Sequence, residues 1–195
     1  MELVVSRENL RTAAEAVRRN KGAAGVTIWE VEEHFKEYYL LLRQKLLNST
    51  YKPKSVKRVE ISKPNGTKRK LGIPCVRNRV VQQAIKQVIE PIIGPNFPPQ
   101  SHGFHPHKGK HTALKQCIEY YEKGYKVVVD CDLKQYFDTL NHDKLMYHLE
   151  QFIRDGAILQ IIRKFLVSGV TDLSGEFVES KTGGRACSEK RDTFY

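Results

Sequence analysis

Apolar residues recur at helical spacing through most of the chain and switch to alternation at two places. After Ser6, residues Leu10, Ala13, Ala14 and Val17 share one stripe and predict a helix from Arg7 to Asn20. Thr27 and Glu30 have capping-box spacing, and Phe35, Tyr38, Leu42 and Leu46 give the helix behind them an apolar face. Arg79 to Ile89 is helical in pattern, with Val81, Ala84, Ile85 and Val88 inward. Thr112 to Tyr121 predicts another helix, and so does Ile158 to Leu166. Asn141 is a good N-cap, with Asp143 in the first turn, for a helix reaching about Phe152.

Alternation appears on both sides of Pro64-Asn65-Gly66, where Val59 and Ile61 pair in pattern with Leu71 and Ile73. That is a strong hairpin signal. A looser alternation from Gly169 to Lys181 surrounds Ser174-Gly175 and predicts a second hairpin. The apolar run Val127 to Val129 predicts a buried strand. Lys21 to Val26 is a Gly/Ala loop, and Pro91 to Lys110 is irregular and rich in Pro, Gly and His. Helix-rich segments combined with strand units make the fold class α+β.

Composition narrows the function. With 195 residues the chain is one domain or part of a larger one. Its formal net charge of +11 fits a polyanionic partner without choosing among RNA, DNA and acidic lipid. No apolar run approaches the roughly 18 residues of a membrane span, and Met1-Glu-Leu-Val-Val-Ser-Arg7 lacks a signal-peptide pattern. The cysteines at 75, 117, 131 and 187 form no CxxC pair and read as reduced thiols.

Two places carry candidate chemistry. Asp130 and Asp132 follow the Val127 to Val129 run, and residues two apart on a strand point to one face. Clustered carboxylates there suit a hard cation such as Mg²⁺, or else the strand runs out into a solvated acidic turn. In the hairpin, Lys63, Lys68, Arg69 and Lys70 crowd the tip, where a phosphate would relieve their repulsion. A solvated basic turn is the plainer alternative. His102, His105, His107 and His111 argue little for zinc, because no cysteine is interleaved at finger spacing.

From about Asn20 to about Thr182 the chain resembles the reverse transcriptases of group II introns, the intron-encoded maturase family. The resemblance rests on Asn20-Lys-Gly-Ala-Ala-Gly25, Lys63-Pro-Asn-Gly66 with Arg69-Lys-Leu-Gly-Ile-Pro74, and Arg79-Val-Val-Gln82. It continues through Ser101-His-Gly-Phe104 and Asp132-Leu-Lys-Gln-Tyr-Phe-Asp138 with Asn141-His142. It implies the fingers of a right-hand polymerase over residues 1–110 and the beginning of the palm over 111–182. By that likeness Asp132 is the catalytic, metal-binding carboxylate and Leu133 offers its carbonyl to a second metal, with Asp130 as a supporting neighbour.

Lys63 and Arg69 match positions that grip the incoming dNTP, and Phe137 matches the aromatic gate at the sugar 2′-position, while also suiting a plain core aromatic. Lys21, Gly22, Gln82, Lys68 and Lys70 fall on the template or RNA side. The implied cofactor is Mg²⁺, with Mn²⁺ as an alternative. The implied partners are template or intron RNA and a DNA primer, in a nucleic-acid-associated cytoplasmic protein of bacterial type that contacts no membrane.

The chain departs from the family pattern at Asn78, where Asp is usual, and at His105, where Arg is usual. The family's Gly-Pro-Gln-Gly and Tyr-Ala-Asp-Asp turns do not occur, and residues 183–195 match nothing in the family. The expectation is a truncated or frame-changed enzyme, inactive by itself, with an unpaired palm edge open to self-association or to a second polypeptide. Its rivals are a non-catalytic, maturase-like RNA-binding fragment and the product of a decayed reading frame. The tail from Gly184 is expected to be disordered.

Overall fold

The computed structural model describes residues 1–19, 35–62, 66, 68–133, 136–171 and 177–178. Two units emerge, one of residues 1–89 with 135–195 and one of residues 90–134. In the first, helix α1 (Arg7–Arg19) starts at Ser6, whose Oγ accepts from the Asn9 N–H at 3.3 Å and whose carbonyl accepts from Leu10. Its stripe buries Leu10, Ala13 and Val17, as the periodicity predicts. Asn9 donates its side-chain amide to the carbonyl of Ala84 at 3.0 Å and so joins α1 to a segment far along the chain. Helix α2 (Phe35–Leu47) buries Leu42 and Leu46, the inner positions predicted for it. The Thr27–Glu30 cap lies outside the described residues.

The hairpin forms as strands β1 (Val56–Ser62) and β2 (Lys68–Ile73), paired antiparallel. Val59 lies opposite Leu71, but Ile61 faces Arg69 and Ile73 faces Lys57, so the predicted face is shared in a different register. Helix α3 (Val76–Ile93) begins after Pro74 and runs three residues earlier and four later than its pattern predicts. It buries Val81, Ala84 and Ile85, with Val88 half-buried, and continues through Pro91 to a 3-10 turn at Gly94–Asn96. Helix α5 (Tyr136–Thr139) is a single turn.

Helix α6 (His142–Glu150) has Asn141 as its N-cap, accepting from Lys144 N–H at 2.9 Å. Helix α7 (Gly156–Leu166) is capped by Asp155, which accepts from the N–H groups of Ala157 and Ile158. Strands β3 (Val170–Thr171) and β4 (Phe177–Val178) are the second hairpin. The sequence pattern did not foresee that β3 lies parallel to β1, giving the sheet order β2-β1-β3-β4. Val56 pairs with Val170, both are buried, and the side-chain hydroxyls of Ser55 and Thr171 meet at 2.5 Å beside them.

The second unit contains helix α4 (Lys110–Glu122), started by the Thr112 hydroxyl, which accepts from the Gly109 N–H at 2.9 Å. No residue of α4 is buried. The strand predicted at Val127 to Val129 is absent. These valines are 84%, 91% and 81% exposed, and residues 125–133 are irregular. A strand exists through its ladder. Among the described residues the backbone of 126–133 gains no such bond, the last being Tyr125 N–H to the Tyr120 carbonyl at 3.2 Å.

Candidate nucleic-acid interface

In the hairpin, antiparallel pairing places Lys57, Val59, Ile61, Arg69, Leu71 and Ile73 on one face. Arg58, Glu60, Ser62, Lys68, Lys70 and Gly72 share the other, so basic residues stand on both. Lys68, 66% exposed, forms an ion pair with Glu60 at 3.0 Å, which answers part of the tip charge that a phosphate was expected to neutralise. Arg69 and Lys70 are placed on β2 by their backbone. Gly66 turns the chain at φ 77°, a conformation that glycine takes without penalty. Lys63 lies outside the described residues, as do Lys21 and Gly22.

The hairpin is seated by a side chain whose role sequence reasoning missed. Asn78 is 1% exposed near the start of α3. Its Oδ1 accepts from the Tyr51 hydroxyl at 3.0 Å and from the Lys54 N–H at 3.4 Å, and its Nδ2 donates to the Lys54 carbonyl at 2.8 Å. The chain just before β1 is thereby fixed to α3. Burial pushes the Tyr51 phenol far above its ordinary value, with Tyr38 and Cys75 adding and Arg77 opposing, so it stays a neutral donor. The Arg77 guanidinium lies over the Tyr38 ring at 5.1 Å. Burial also pushes the Tyr38 phenol up, to about 12, against the pull of Arg77. Gln82 is half-buried on α3.

In the second unit Asp130 and Asp132 are exposed, and Leu133 is 71% exposed. Phe137 belongs to the first unit, on the single turn α5. Among the described residues no group of three or more His, Cys, Asp or Glu side chains could hold a metal ion. Two carboxylates on an irregular segment do not fit the donor set that a pair of hard cations requires. Of the four histidines, His102 meets the Thr112 hydroxyl through Nδ1 at 2.9 Å and the Gln116 side-chain Oε1 through Nε2 at 2.5 Å.

The class of protein follows from comparison with known families. Residues 61–190, more than half of the chain, match the family described as reverse transcriptase (RNA-dependent DNA polymerase), and the chain belongs to that family. Its relatives include a group II intron-encoded protein. Protein YkfC of Escherichia coli is 32% identical over 89% of this chain and 48% of its own length. The group II intron-encoded protein LtrA of Lactococcus lactis is 36% identical over 77% of this chain and 25% of its own. The chain thus spans about half the length of one and a quarter of the other. A solved structure titled "Partial Cas6-RT-Cas1--Cas2 complex" superposes with a TM-score of 0.58 at 15% identity, covering 92% of this chain and 30% of that one, and supports the α+β reverse-transcriptase fold. No described helix is long and apolar enough to cross a membrane.

Proposed function

We propose that this chain carries the template- and nucleotide-handling part of a group II intron-type reverse transcriptase, an RNA-directed DNA polymerase. The observation that carries this reading is that the family match over 61–190 takes in the hairpin from the end of β1 through β2, together with the Asp132 segment. In the whole enzyme Asp132 would hold Mg²⁺ with the Leu133 carbonyl, while Lys63, Arg69 and Phe137 would meet the incoming dNTP. Template or intron RNA would lie against the side of Lys21, Gly22, Gln82, Lys68 and Lys70, with a DNA primer. We expect the 195 residues by themselves not to polymerise, because the pair Asp130 and Asp132 does not complete a two-metal site. The charge of +11 favours a second reading, a maturase-like RNA-binding role without catalysis.

Primer extension on poly(rA)/oligo(dT) with Mg²⁺ or Mn²⁺, paired with RNA binding across a salt series, tests this proposal. The chain should bind RNA with log K falling steeply against log salt, and should extend no primer beyond an Asp132→Ala control. Extension that depends on Asp132 would overturn the unfinished site. Failure to bind RNA would overturn the template-handling role.

A further inference from the structure

The loop between the 3-10 turn at Gly94–Asn96 and helix α4 holds a conformation that costs free energy and has no packing reason among the described residues. Phe104 and His107 both lie in the left-handed region, at φ 57° and 61°. For a bulky aromatic residue this is a true outlier, and such outliers gather where a binding surface needs them. Gly103, which could take that conformation freely, stands next to Phe104 but is not among the residues with positive φ. The turn has therefore fallen on the residue that carries a ring. That ring is 71% exposed, and among the described residues nothing aromatic or cationic lies against it.

The loop on either side of Phe104 is tied down by side-chain bonds. His102 is fixed to α4 through both ring nitrogens, and Gln116, which receives one of those bonds, donates its amide to the Tyr120 hydroxyl at 3.0 Å. His105 turns inward against Phe97, edge-on at 5.0 Å between ring centroids. Lys108 closes the loop by donating to the Pro99 carbonyl. This stretch is cationic, since no carboxylate occurs between Glu90 and Glu119, whereas Lys108, Lys110 and Lys115 do. An exposed ring on a tied-down loop, within a carboxylate-free, lysine-bearing stretch, has the make-up of a stacking site on single-stranded nucleic acid.

We propose that Phe104 stacks on an unpaired base of single-stranded RNA. This rests on the RNA-handling role above. The test is a short single-stranded RNA carrying one 2-aminopurine, titrated at several salt concentrations against the whole chain and against Phe104→Gly and Phe104→Tyr. Phe104→Gly removes the ring and the backbone strain together, so its melting temperature should hold or rise. Its RNA affinity should fall about 5- to 150-fold with loss of 2-aminopurine quenching, while the slope of log K against log salt is unchanged. Phe104→Tyr should retain both affinity and quenching. Unchanged affinity and quenching in Phe104→Gly would overturn the proposal. A lower melting temperature, or loss of a dimer, in that variant would also overturn it, because the ring would then be packed against protein. If the unaltered chain fails to bind RNA, the stacking site and the RNA-handling role fall together.

Discussion

Replacing Asn78 with alanine should lower the stability of the chain by about 2–4 kcal/mol, since each intramolecular hydrogen bond nets about 1 kcal/mol and a buried group left unpaired costs about 1–3 kcal/mol. Three bonds end on this amide, and its partner Tyr51 is 3% exposed, so water cannot readily replace what is lost. For a chain of this length the change amounts to roughly 10 °C in melting temperature, measurable by thermal or urea unfolding. Tyr51→Phe should cost less, because Oδ1 keeps its bond from Lys54. The double variant should fall short of the sum of the two single changes, as expected when two residues share one bond. Asn78→Asp is the sharper probe. It puts an oxygen where Nδ2 now donates to the Lys54 carbonyl, so burial and that carbonyl raise the carboxyl's folded pKa above its unfolded one. The folded state then holds the proton more tightly, and stability is retained at low pH and lost as pH rises through the raised pKa. A cost below about 1 kcal/mol for Asn78→Ala, or a pH-independent penalty for Asn78→Asp, would show that the amide does not hold the hairpin to α3.

Burial pushes the Asp155 carboxyl up, but bonds from the Met1 ammonium and from the Ile158 and Ala157 N–H groups outweigh it and hold the carboxyl below its ordinary value. Its contribution is therefore present above the ordinary carboxylate range and lost as pH falls through the lowered pKa. Asp155→Ala should cost about 0.5–2 kcal/mol at neutral pH and flatten the acid side of the stability profile, as urea midpoints across pH will show. Neutralising Lys63 and Arg69, the residues by which the hairpin would serve the triphosphate, should lower RNA affinity only modestly. Abolished RNA binding in a filter assay would make it an RNA grip instead.

The helices were legible because their apolar stripes are long enough to fix both period and face. Leu10, Ala13 and Val17 on α1, and Ala84 and Ile85 on α3, are buried where the pattern puts them. The Asn141 cap was legible because its signal is local. Asn78 was not, because the bonds that define it come from Tyr51 and Lys54, more than twenty positions away, and its sequence neighbours do not announce them. The same limit hid the parallel pairing of β1 with β3, which joins residues 56–57 to 170–171. The family resemblance gave Asp132 its role. Geometry contributes only that Asp132 is exposed beside Asp130 on an irregular segment. Lys21, Gly22, Lys63 and the tail from 183 lie outside the described residues.

The Val127 to Val129 segment and β3 obey one rule with opposite outcomes. Thr171 and Val170 form a strand of two residues because β1 and β4 supply partners on both sides. Three consecutive valines form none, because β-propensity describes side chains that fit a pleated surface, and the neighbour must supply the ladder. Side chains more than 80% exposed contribute little to the stability of the chain itself. Val128→Lys, at the most exposed of the three, should therefore change the unfolding free energy by no more than about 0.5 kcal/mol. It should also raise solubility and reduce self-association, since a lysine blunts an apolar segment that invites pairing with another chain. Light scattering and urea unfolding of the same variant read the two effects separately. A loss above about 1 kcal/mol would mean that Val128 is packed within the chain, and the strand expected from the sequence would then be restored.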